Sequence, residues 1–231
     1  MVRFVELSHV IRDGMVTYPG LPAPRYAEHL SRVESRDRYA PGTEFAIDRI
    51  TMVGNTGTYL DSPFHRYADG TDLAGLPLER LAGLPTVVVR AAGGPARGIT
   101  AAQVAGLPVA GHAVLLHTGG DRHWATRDYA VDAPYLTGEA ARALVDGGAV
   151  LVGIDAVNID DISAEARGER PAHSLLLAAG IPIVEHLTNL AALPVHGAQF
   201  TAVPPRLAGF GTFPVRAFAT VPIVPGPREQ G

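Results

Sequence analysis

Four short apolar runs set the tightest limits on what this chain can become: PTVVVRA at 85–91, HAVLLHTG at 112–119, AVLVGID at 149–155 and IPIVEHL at 181–187. Each is rich in Val, Ile or Leu and is bounded by Gly, Pro or polar residues, the pattern of buried strands. Helical signals fall between the later runs. Thr137 can N-cap GEAARALVDGG, with Gly147 and Gly148 near its end. AHSLLLAAG at 172–180 reads as a short helix stopped by Gly180. Further strands are expected at VRFVELSHVI, at residues 45–53, and near the C-terminus in TAVPPRL and PVRAFATV, with DGMVTYPGLPAP as a loop. Strands outnumber helices, and hairpin-like and crossover connections are mixed. The expectation is α/β: a single domain over 1–231 with a curved mixed β-sheet or open barrel and covering helices. PGPREQG, 225–231, is expected to fray.

Composition narrows the chemistry. The formal net charge is −4 and no Lys/Arg block stands out, which argues against nucleic acid or an anionic membrane as the main partner. There are no cysteines, so a disulfide framework, a Cys-ligated zinc and a thiol nucleophile are excluded. Any metal must use His, Asp and Glu. No apolar stretch reaches the roughly 18 residues of a membrane span, and MVRFVELSHV lacks the look of a signal peptide. A cytoplasmic location is expected. The G-x-x-x-x-G-K-[ST], G-x-S-x-G and H-E-x-x-H patterns are absent, and no nucleotide or organic cofactor is expected.

The most informative segment is NTGTYLDSPFH, residues 55–65. In an extended chain Asn55, Gly57, Tyr59, Asp61, Pro63 and His65 would share one face. Polar and ionisable side chains repeated on one face suit a pocket wall better than a core. Pro63 requires the strand to end, bulge or lie at an edge there. A lone D-x-x-x-H is more often a turn-capping Asp and a satisfied His than a site.

Other parts of the chain weigh against that bland alternative. Gly57-Thr58, Asp61, Pro63 and His65, followed by Tyr67 and Asp69-Gly70, resemble the H-x-G-T-H-x-D-x-P-x-H motif of the cyclase family of metal-dependent hydrolases, which includes bacterial kynurenine formamidases and isatin hydrolases. FVELSHVIRDGMVTYPG resembles the family's opening, VLLHTGGDRHW its T-G strand end and VGIDAVNIDD its Asp-rich turn. PAHSLLLAAGIPIVEHLTNL resembles the segment with its late His and Glu, and GFGTFPVRAFA its closing strands. The resemblance implies the swivelling β/β/α, cyclase-like fold. It also implies two divalent ions between the early His-His-Asp group and the late His and Glu. Carried over, Asp61 and Glu185 are carboxylate ligands, His173 is an imidazole ligand and His65 transfers protons. This chain departs from the motif at Asn55 and Tyr59, which replace two metal-binding histidines. An amide oxygen is a poor zinc ligand, and a phenol keeps its proton near pH 7. One ion, zinc or manganese, is therefore expected on Asp61, His173 and Glu185.

Tyr18, Asn55, Tyr59 and Thr118 are the expected substrate contacts. Asp155, Asp160 and Asp161 could bind something or simply form turns. The leading expectation is hydrolysis of an amide, lactam or ester in a small cyclic or aromatic substrate, as in arylformamidases. The alternative is a cyclase, dehydratase or isomerase acting on a carbonyl, polyketide-like substrate, without need of metal. A third is a binding protein with a vestigial site. Family likeness implies a homodimer or larger homo-oligomer.

Overall fold

The structure, a computed structural model, describes residues 1–223; the tail expected to fray, 225–231, lies outside the described residues. The elements follow as β1 (Val2–Glu6), β2 (Arg25–Leu30), α1 (Arg32–Ser35), β3 (Ile47–Thr51), β4 (Tyr59–Asp61), β5 (Leu84–Arg90), β6 (Gly98–Ile99), α2 (Ala101–Val104), β7 (Ala113–His117), β8 (Tyr135–Leu136), α3 (Gly138–Asp146), β9 (Leu151–Ile154), α4 (Pro171–Ala178), β10 (Ile183–Glu185), β11 (His196–Thr201), β12 (Thr212–Pro214) and β13 (Phe218–Pro222). Nine of the strands form one curled mixed sheet in the order β1-β13-β11-β5-β7-β9-β10-β4-β12.

The four apolar runs are the centre of that sheet. β5, β7, β9 and β10 run parallel to one another, and antiparallel strands complete both sides. Being covered on both faces, these strands need no polar alternation. Val114, Leu116, Val152 and Ile154 point to the face packed by α2, α3 and α4, through Val104, Leu144 and Leu176. Leu115 and Leu151 point the other way, into a second core with Leu60, Val184, Leu187 and Phe200. Thr137 caps α3 as expected, accepting from the Ala140 N–H.

Two expectations need adjusting. The segment at 201–207 does not continue a strand: β11 ends at Thr201, and Pro204 and Pro205 have no N–H to give a ladder. The strand expected at 45–53 pairs only with β2, with Tyr26 opposite Ile50, in a separate two-stranded sheet. No helix among the described residues is long and apolar enough to cross a membrane.

Candidate active site

The site forms where β10, β4 and β12 lie side by side. Antiparallel register sets Tyr59 opposite Glu185 and Thr212 opposite Asp61, and such directly opposed side chains touch. Tyr59 accordingly donates to Glu185 Oε2 at 2.6 Å. Thr212 donates its hydroxyl proton to Asp61 Oδ1. That proton being committed, the Thr212 oxygen accepts from His65 Nδ1–H at 2.7 Å. Neutral His65 then presents a lone pair at Nε2.

His65 reaches the group differently from the one-face pattern. Only Tyr59 and Asp61 alternate in a strand, because Gly57 takes φ +67° and Pro63 starts a 3₁₀ turn ending at His65. Gly211 is required beside that turn: a Cβ there would meet His65 Cα at 2.5 Å.

His173 comes from the first turn of α4. Asp160 accepts the backbone N–H groups of Ala172 and His173 and also takes His173 Nδ1 at 2.7 Å. One carboxylate thus caps the helix and orients the ring, as carboxylates do behind metal-binding imidazoles. His173 Nε2 is left 3.7 Å from Asp61 Oδ2 and 3.6 Å from Glu185 Oε1. Asp61, His65 and His173 offer donor atoms that all lie within 4.8 Å of one another.

The electrostatics follow from three buried acids, Asp61, Asp160 and Glu185, gathered around one imidazole. Asp61, His173 and Glu185 are all buried. Burial alone would lower the His173 pKa, yet Asp160, Asp61 and Glu185 together raise it to about 10. Burial pushes Glu185 up to about 7, His173 opposing and Asp61 reinforcing the rise. At Asp61 burial is outweighed by His173, His65 and Thr212, so its pKa is lowered. Its Oδ2 nevertheless has no hydrogen-bond partner. At neutral pH the raised His173 pKa makes the ring an imidazolium 3.7 Å from that oxygen, a buried ion pair with no hydrogen bond in it. Asp61, His65 and His173 form the donor group close enough together to hold a cation, while Glu185 Oε1, which accepts from the Ile159 N–H, lies 3.6 Å from His173 Nε2.

A buried chain of hydrogen bonds backs the site. Tyr129 donates to His186 Nδ1 at 2.8 Å, and His186 Nε2–H points to the Tyr59 phenol at 3.3 Å. Neutral His186 is thereby satisfied at both nitrogens, and burial lowers its pKa to about 3. Its effect on stability has a definite sign. Between about pH 6.5 and 3 the unfolded imidazole is protonated and the folded one is not, so stability should fall with pH by up to about 1.4 kcal/mol per pH unit. Urea unfolding in EDTA at pH 7 and 5 tests this, and His186→Asn should lose that part of the slope.

The remaining expected contacts are dispersed. Asn55 lies beside the Tyr59 phenol, and Tyr18 is half-buried near Arg170. Thr118 instead donates to Asp155, whose carboxylate also takes the N–H groups of Thr118 and Gly119. Thr118 lines a separate cavity of about 200 Å³ with Arg122 and His123. Above the metal-type cluster lies a cavity of about 380 Å³ lined by His65, Arg66, Asn158, Arg170, His173 and Ser174, together with Gly168 and Glu169.

The chain is similar to known proteins in sequence and in fold. The Cyclase family model matches residues 5–161. A kynurenine formamidase of Paracidovorax citrulli is 30% identical over 221 residues, covering 94% of this chain and 96% of its own. That of Geobacillus thermodenitrificans is 28% identical over 218 residues, covering 89% and 96%. Isatin hydrolase A from Labrenzia aggregata, solved with benzyl benzoate, superposes with a TM-score of 0.80 at 26% identity over 95% of this chain and 94% of that one. The family match spans the opening strand, the Asp61 segment and the Asp-rich turn, more than half of the chain, and the Paracidovorax relative extends over 94% of it: the chain belongs to the cyclase family.

Proposed function

We propose that the protein is a metal-dependent hydrolase that opens an amide, lactam or ester bond in a small cyclic or aromatic substrate. The unpartnered Asp61 Oδ2 facing His173 Nε2, beneath an open cavity, carries this reading. Asp61, His173 and Glu185 would hold one ion; one imidazole and two carboxylates suit zinc or manganese. When bound, such an ion polarises a carbonyl and acidifies water. Asp160 holds the His173 ring, and Thr212 holds His65. His65 takes the proton of the attacking water at Nε2 and returns it to the leaving nitrogen or oxygen. Asn55 and Tyr18 would border the substrate, whereas Tyr59, expected as a third contact, is buried and gives its hydroxyl to Glu185 instead. The relatives' names supply the bond type: kynurenine formamidase and isatin hydrolase.

The test is elemental analysis of protein purified without added metal, together with amine release from an aryl formamide. About one ion per chain and amine release that stops with chelator are expected. Catalysis of carbonyl ring closure or dehydration by metal-free protein would favour the alternative reading.

The protein is also proposed to associate as a homodimer or larger homo-oligomer. The β2–β3 pair leaves Tyr26, Ile47 and Ile50 exposed, and an isolated two-stranded sheet is marginal in water without cover. Light scattering should give a mass at least twice the 24.2 kDa of one chain, and Ile50→Asp should shift it towards that value. A parent protein that stays at 24.2 kDa at micromolar concentration removes this proposal.

A further inference from the structure

The cavity above the metal-type cluster has an uneven rim. His65 and His173 form its inner end, and Arg66 and Arg170 stand on its wall. Both guanidiniums are anchored without being neutralised. Arg170 donates through Nη1 to the carbonyls of Asp161 and Glu169, at 3.1 and 2.8 Å. Arg66 lies over the Tyr67 ring at 5.4 Å, and that ring is fixed by its hydroxyl bond to the Ser174 carbonyl. Among the described residues, the arginines that pair with acids are Arg36, Arg97 and Arg216; neither Arg66 nor Arg170 does so. The one acid on the cavity wall, Glu169, is exposed and has no ion pair with either. In a chain of net charge −4, two uncompensated guanidiniums on one wall are not part of a general basic surface.

From this we infer that the substrate carries a carboxylate, held by Arg66 and Arg170 while its scissile carbonyl lies at His65 and His173. The inference rests on the hydrolase reading and names the substrate class of that site. Carboxylates match guanidinium geometry and form charge-assisted bonds about twice as strong as neutral ones. Arg170 has spent Nη1 on the backbone and keeps Nη2 and Nε to offer. Asn158, also on the wall, adds its amide N–H groups as neutral donors for the linker between the two ends, its oxygen being taken by the Asp160 N–H. A neutral substrate would cover both cations without supplying a counter-charge, at a desolvation cost.

The experiment uses two fluorescent probes of nearly equal shape, 2-aminobenzoate and 2-aminobenzamide, titrated into zinc-loaded and chelator-treated full-length protein. The acid should bind about tenfold more tightly than the amide, the ratio expected for one charge-assisted site. Arg66→Gln and Arg170→Gln should each shrink that ratio, and the double variant should abolish it. Arg170→Lys keeps the charge and should retain part of the preference. Arg66 is exposed and its side chain makes no hydrogen bond among the described residues, so Arg66→Gln remains informative if Arg170→Gln disturbs its loop. Equal binding of acid and amide by the parent overturns the proposal. So does a preference that survives in the double variant but vanishes with chelator, since the ion would then be the anion site. Failure to release amine from an aryl formamide would defeat the hydrolase reading instead, and leaves the acid–amide ratio as a separate result.

Discussion

Asp61→Asn should empty the metal position and leave the fold standing. Asparagine keeps an oxygen for the Thr212 hydroxyl, so the β4–β12 pairing retains its cross-strand bond. It removes the negative charge that His173 Nε2 faces at 3.7 Å. Loss of an outer residue behind a metal ligand already costs roughly 10–100-fold in affinity, and loss of a ligand should cost at least that. Metal content after dialysis should fall close to zero, with turnover following it. Stability in chelator should fall. His173 is an imidazolium there, and the lowered pKa of Asp61 means that its charge favours the folded metal-free protein, so removing one partner of this buried pair costs stability. Thermal unfolding with EDTA checks this. An Asp61→Asn protein as stable as the parent in EDTA would show that the charge is not paired with His173, and one that keeps its ion contradicts the assignment of Asp61.

His65→Ala should separate proton transfer from metal retention. General acid–base catalysis is typically worth 10²–10⁴-fold, and a loss of that order in kcat is expected. Metal content should stay near the parent's, because Asp61, His173 and Glu185 are untouched. The side chain is more than one-third exposed and its Nδ1 is held by Thr212, so truncation should leave the packing of β4 intact. A variant that loses the ion would instead place His65 in the ligand set with Asp61 and His173, whose donor atoms already fall within 4.8 Å. Turnover close to the parent's would remove His65 from the mechanism.

The residues of this cluster differ in how readable they were. Asp61, His65, His173 and Glu185 could be nominated because their segments resemble those of the cyclase family, and the fold brings the four into one neighbourhood. The central strands were legible because burial on both faces leaves unbroken apolar runs. Thr212 gave no signal: it meets Asp61 across 151 residues of chain through sheet register, which local pattern does not encode. Asp160 stood among several acidic turn residues, and only the position of α4 shows that it caps that helix and orients His173. His186 looked like the tail of a buried strand, yet its positive φ of 56° turns the ring towards Tyr59 and Tyr129. Thr118 was drawn in by its T-G turn, and the turn's own needs bind it to Asp155.

The chain has a single tryptophan, and its surroundings give it a use. The Trp124 ring stacks on His9 with centroids 3.9 Å apart and planes 3° from parallel, and meets Tyr129 and His186 edge-on at 5.2 and 5.5 Å. His186 touches the Tyr59 phenol, which in turn holds Glu185. The molecule therefore contains one indole chromophore, placed two side chains away from the proposed ligand Glu185 and against the segment that follows β1. Its emission reports on this corner alone. Loading of an ion or binding of a substrate should be readable there without an added label, and protonation of His9, whose pKa burial lowers to about 4, should change the same emission.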